Sequence, residues 1–90
     1  MDIASKIKHL LTNKINTTHI EVIDDSYKHK NHHKDTQGGH FKLLIISNDF
    51  NDISLINRHR LIYDILDEMI KVEIHALSIK AFTEREIKLN

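Results

Sequence analysis

A chain of 90 residues with 40% hydrophobic and 29% charged side chains is long enough for one small domain, residues 1–90, and too hydrophobic for wholesale disorder. Its 13 basic and 13 acidic side chains cancel, which argues against a general affinity for polyanions while leaving room for a local basic face. With no cysteine, the chain supplies neither disulfides nor thiolates, and imidazole and oxygen remain as its metal donors.

Behind Asp2, a good capping residue, Ile3, Ile7, Leu10 and Leu11 recur at helical spacing and predict a helix over residues 2–13. Residues 18–24 alternate, with Ile20 and Val22 opposite His19 and Glu21, as a strand does. Residues 25–39 hold almost no apolar side chain and end in Gly38 and Gly39, the only glycines, so a long polar loop is expected there. Residues 40–47 form a second strand whose near-continuous apolar run predicts cover on both faces. A turn over 48–52 leads into the strongest helical stretch, residues 54–71, with Leu55, Ile62, Leu66 and Met69 on one stripe.

On an unbroken helix, Arg58 and His59 fall inside that apolar arc. Either the helix breaks near residue 58, or His59 is buried and Arg58 snorkels. The functional alternative is that Arg58, His59 and Arg60 line a groove for a partner, a phosphate or a nucleic-acid backbone. Residues 73–81 read as a third strand, with His75, Leu77 and Ile79 on one face and Ile74, Ala76, Ser78 and Lys80 on the other. Thr83 and Glu86 have capping-box spacing and predict a short last helix. The fold class that results is α+β. The first two strands should pair antiparallel and the third parallel after its helical crossover, with the helices on one face of a mixed three-stranded sheet.

Eight histidines carry most of the functional signal, because imidazole is both a metal ligand and a proton switch. His29, His32, His33 and His40 crowd the polar stretch, where a loop zinc or nickel site competes with a merely solvated loop. His75 opens a strand, and His9 and His19 read as surface residues. There is no nucleophile elbow and no phosphate-binding glycine loop, so enzyme activity is not expected. No apolar stretch approaches the ~20 residues of a membrane span. The first residues, Met1 to Ser5, have no basic region followed by an apolar run. A cytoplasmic protein away from membranes is therefore expected.

Val22 through His29, then His40-Phe41-Lys42-Leu43, Phe50, Asn57 through Tyr63, His75-Ala76-Leu77-Ser78 and Thr83 together resemble the BolA family, in order and over nearly the whole chain. The resemblance implies a class II KH-like fold with the order α-β-β-α-α-β-α. It also implies that residues 54–71 divide into a short helical turn and a longer helix, a helix-turn-helix-like unit. It further implies a monothiol glutaredoxin partner, with which a 2Fe-2S cluster is shared. In that arrangement the partner's cysteine and glutathione supply sulfur and this chain supplies imidazoles, by position His29 and His75, with His32 in reserve. The alternative that the family offers is a DNA-binding transcriptional regulator, against which stand the zero net charge and the missing Gly-x-x-Gly signature. At most a weak homodimer is expected. Two positions depart from the family's pattern: Asp52 stands where glycine is common, and Ile87 where tryptophan is common.

Overall fold

The computed structural model describes residues 1–26 and 38–88 of the chain. Asp2 starts the first helix, α1 (Ile3–Lys14), by accepting the Ser5 N–H at 2.8 Å, and the helix turns Ile7 and Leu11 inward. Strand β1 (His19–Asp24) runs antiparallel to β2 (Gly39–Ile46), which runs parallel to β3 (Ile74–Phe82), giving the sheet order β1-β2-β3. Between β2 and β3 the chain makes a 3-10 turn at Asn48–Phe50 and two helices, α2 (Leu55–Ile65) and α3 (Asp67–Val72). The last helix is α4 (Glu84–Lys88). The order and the mixed pairing are those expected from the sequence.

Ile7, Leu11, Phe41, Leu43, Ile45, Phe50, Ile62, Leu66 and Met69 form one buried cluster, which ties α1, α2 and α3 to the same face of the sheet. Each fully buried side chain of this size stabilises the fold by roughly 1.5–3 kcal/mol relative to exposure. The expectation that β2 is covered on both faces is corrected. Phe41, Leu43 and Ile45 are buried, Lys42 is exposed, and Leu44 and Ile46 are half-buried. The helices cover one face only, and the apolar residues on the other are shielded only in part.

The break in residues 54–71 also lies elsewhere than expected. It falls at Leu66 (φ −95°, ψ 10°), so the longer helix comes first and the short one second. Leu66 is fully buried, and a kink there keeps both Ile62 and Met69 on the core while the axis turns. Asp52 has φ 64°, so the residue in glycine's usual place adopts the left-handed conformation glycine favours. The capping box is present: the Thr83 N–H donates to Glu86 Oε1 at 2.7 Å, and the Glu86 N–H donates to Thr83 Oγ1 at 3.2 Å.

Candidate metal-binding histidine pair

Because β2 and β3 are parallel neighbours, the residues that open them lie at the same end of the sheet. Gly39 pairs with Ile74 and His40 with Ala76, a register slip that leaves His75 between the two pairs. The slip overturns the expected facing at the start of β3: Ile74 is buried and His75 is exposed, whereas Leu77 and Ile79 do pack on the core. The His40 and His75 rings lie with centroids 5.1 Å apart and planes inclined by 50°. That spacing lets one nitrogen of each ring reach a common metal ion with bonds of about 2.0–2.1 Å.

The backbone beneath the pair is tightly held. The His40 N–H donates to Ser26 Oγ at 3.0 Å, and the His40 carbonyl accepts the Asp25 N–H at 2.7 Å. The Gly39 N–H donates to the Glu73 carbonyl at 3.0 Å, and Glu73 is in turn bound through its carboxylate to Lys6 of α1 at 2.7 Å. Gly38 has φ 83° and approaches β3 so closely that a Cβ on it would lie 3.0 Å from the His75 backbone nitrogen. Only glycine meets both demands at that position. Beside the rings a shallow depression is lined by Asp25, Phe41, Lys42, Ala76, Leu77 and Ser78. The Tyr63 hydroxyl of α2 donates to the Leu77 carbonyl at 3.4 Å.

Of the metal ligands expected from the sequence, His75 lies in this corner. His29 and the reserve His32 fall outside the described residues, as does His33. Among the described residues no three His, Asp or Glu side chains group as a metal site, so the contribution visible here is two imidazoles. His9 and His19 are exposed, as expected; His19 lies 3.2 Å from Glu21. From the sequence His40 opens a strand and joins His29, His32 and His33 in the alternative loop metal site, not His75. The signal that could have paired it with His75 is that both open strands expected to run parallel.

Arg58, His59 and Arg60 do not form one surface. Arg58 is 5% exposed: its Nε donates to the Ile53 carbonyl at 2.8 Å, and one terminal nitrogen donates to the Ala81 carbonyl at 3.0 Å. Its fork grips Glu86 of α4 at 2.7 and 3.1 Å, and its carbon Cζ sits 5.7 Å from the Phe50 ring centroid. The buried residue is thus the arginine, and His59 is half-buried beside it, the reverse of the reading in which His59 is buried and Arg58 snorkels. Arg60 is exposed and reaches Asn57 Oδ1 at 3.5 Å. The bidentate grip, and after it the Thr83 N–H, hold the Glu86 carboxyl down to about 2.

The family described as BolA-like protein matches residues 11–86. A BolA-like protein of Dictyostelium discoideum is 42% identical over 89 residues, covering 98% of this chain and 76% of its own length. The DNA-binding transcriptional regulator BolA of Escherichia coli is 34% identical over 89 residues, covering 96% of this chain and 80% of its own length. Among solved structures, the BolA domain of SufE1 from Arabidopsis thaliana superposes with a TM-score of 0.83 at 40% identity, covering 96% of each chain.

Proposed function

Because the chain belongs to the BolA-like protein family, we propose that it is a non-enzymatic adaptor that pairs with a monothiol glutaredoxin and helps to hold a 2Fe-2S cluster in iron-sulfur trafficking or iron homeostasis. The observation that supports this reading is the exposed His75 with a second imidazole, His40, at a ring spacing of 5.1 Å, in a chain without cysteine. Two imidazoles fit one iron of a cluster whose sulfur ligands come from elsewhere, here the partner's cysteine and glutathione. His75 is the ligand assigned with its position known. The resemblance gives the second place to His29, with His32 in reserve, and the ring spacing adds His40.

Imidazole in place of thiolate raises the potential of a bound cluster. This chain's part is to present neutral rings at fixed positions, and ligation weakens in acid as the rings take up protons. Mixing the protein with cluster-loaded glutaredoxin should change the visible absorption and circular dichroism. His75→Ala should remove that change. An unaltered spectrum with the unsubstituted protein sinks the proposal, and comparison of His29→Ala with His40→Ala identifies the second imidazole.

A second reading, a DNA-binding regulator, is supported by the name of the E. coli relative. Arg58 cannot serve it, being consumed by Glu86, which leaves exposed cations such as Arg60, Lys80 and Lys71, the last paired with Asp67 and Glu68, for a local basic face. Phosphate contacts would show as a steep fall of duplex affinity with salt. A flat response removes this reading.

A further inference from the structure

The His40 ring of the pair stands where two peptide segments meet, residues 24–26 at the end of β1 and residues 38–40 at the start of β2. Ser26 joins them. Its N–H donates to Asp24 Oδ1 at 2.9 Å, which fixes the turn out of β1. Its hydroxyl accepts the His40 N–H at 3.0 Å and reaches the carbonyl of the same residue at 3.5 Å. A hydroxyl can accept and donate at once, so one side chain addresses both backbone polar groups of His40.

Ser26 Oγ also occupies the space that Gly39 leaves empty. A Cβ at Gly39 would lie 2.6 Å from that oxygen and 2.7 Å from the Phe41 ring, far inside van der Waals contact. Gly39 is in turn held from the other side by the Glu73 carbonyl, one residue before β3 begins. The peptide that carries the His40 ring is therefore clamped between Ser26 and the stem of β3, and the His75 ring rises from that same stem.

We propose that Ser26 is a positioning residue for the His40–His75 pair: its hydroxyl, seated in the space beside Gly39, fixes the His40 peptide so that the His40 ring stays opposite His75. This rests on reading the pair as imidazole donors. Ser26 itself touches no ligand. Removing the hydroxyl leaves the strand ladders and the Asp25 N–H bond to the His40 carbonyl in place but strips the His40 N–H of its acceptor, and the rings lose their fixed separation.

The test reads the rings directly, without metal. The cross-relaxation signal between His40 and His75 ring protons is measured in the unsubstituted protein, in Ser26→Ala, in Ser26→Thr, which keeps the hydroxyl, and in Gly39→Ala, which expels it. Methyl contacts between Ile7 and Leu11 serve as the control for an intact core. The signal should weaken several-fold in Ser26→Ala and Gly39→Ala with the core contacts unchanged, and it should persist in Ser26→Thr. A full-strength signal in Ser26→Ala overturns the proposal, as does loss in Ser26→Thr with an intact core. Each variant is then mixed with cluster-loaded glutaredoxin. If even the unsubstituted protein leaves that spectrum unchanged, the adaptor reading fails on its own, while the ring signal still decides the role of Ser26.

Discussion

The two ends of β3 carry two polar clusters, and they are built in opposite ways. At its C-terminal end, the Arg58 side chain is consumed: two backbone carbonyls and both oxygens of Glu86 accept its N–H groups. At the N-terminal end the hydrogen bonds fall on the backbone of Gly39 and His40, and His75 stays exposed. A charged side chain whose donors are committed inside the protein builds the fold. A ring that stands exposed at a strand opening, as His75 does, is the one available for chemistry.

Crossing the two ends tests this division most strongly. Arg58→Ala should lower the unfolding free energy by about 3 kcal/mol, because the Ile53 and Ala81 carbonyls lose their donor and space opens beside Phe50. Denaturant midpoints measure that loss, and the folded fraction should still alter the glutaredoxin spectrum. His75→Ala, at an exposed position, should change stability by no more than about 0.5 kcal/mol and abolish the spectral change. An Arg58→Ala protein of full stability that no longer altered the spectrum would invert the comparison.

Acid sharpens the same contrast. The Glu86 carboxyl is held down from 4.5 to about 2, so its contribution to stability is complete above the unfolded value and is lost as pH falls from 4.5 through about 2. Denaturant midpoints of the unsubstituted protein should decline across that window. Those of Glu86→Gln should start lower and follow a flatter course. Thr83→Ala, which removes the cap of α4, should cost about 1 kcal/mol in thermal unfolding. The smallest effect is expected of Asp52→Gly, a gain of about 0.5 kcal/mol, since relief of the left-handed conformation outweighs the added freedom of the unfolded chain.

Local chemistry made much of the fold legible. Asp2 and Thr83 cap the helices their spacing announced, and alternation located β1 and most of β3. What stayed hidden depends on residues far apart in the chain. Arg58 looked like a misplaced surface residue because its acceptor, Glu86, lies 28 positions away. The kink at Leu66 carries no proline or glycine and follows from the need to keep α2 and α3 on one core. The ring pair was half legible: His75 was singled out and His40 was known to open a strand, but their approach depends on the register slip beside Gly39 and on contacts across the sheet, which the sequence does not show.

Glu86 has one further consequence. Its carboxylate accepts the Thr83 N–H, its own N–H donates to Thr83, and both its oxygens hold Arg58, while none of the residues of α4 is buried. One carboxylate is thus shared by the cap and the ion pair that hold the last helix, beside the reciprocal bonds between Glu84 and Asn48, so the cap and the ion pair cannot release separately. Residues 84–88 should detach as one cooperative unit, and the energies of Thr83→Ala and Arg58→Ala should fall short of additivity when the two are combined.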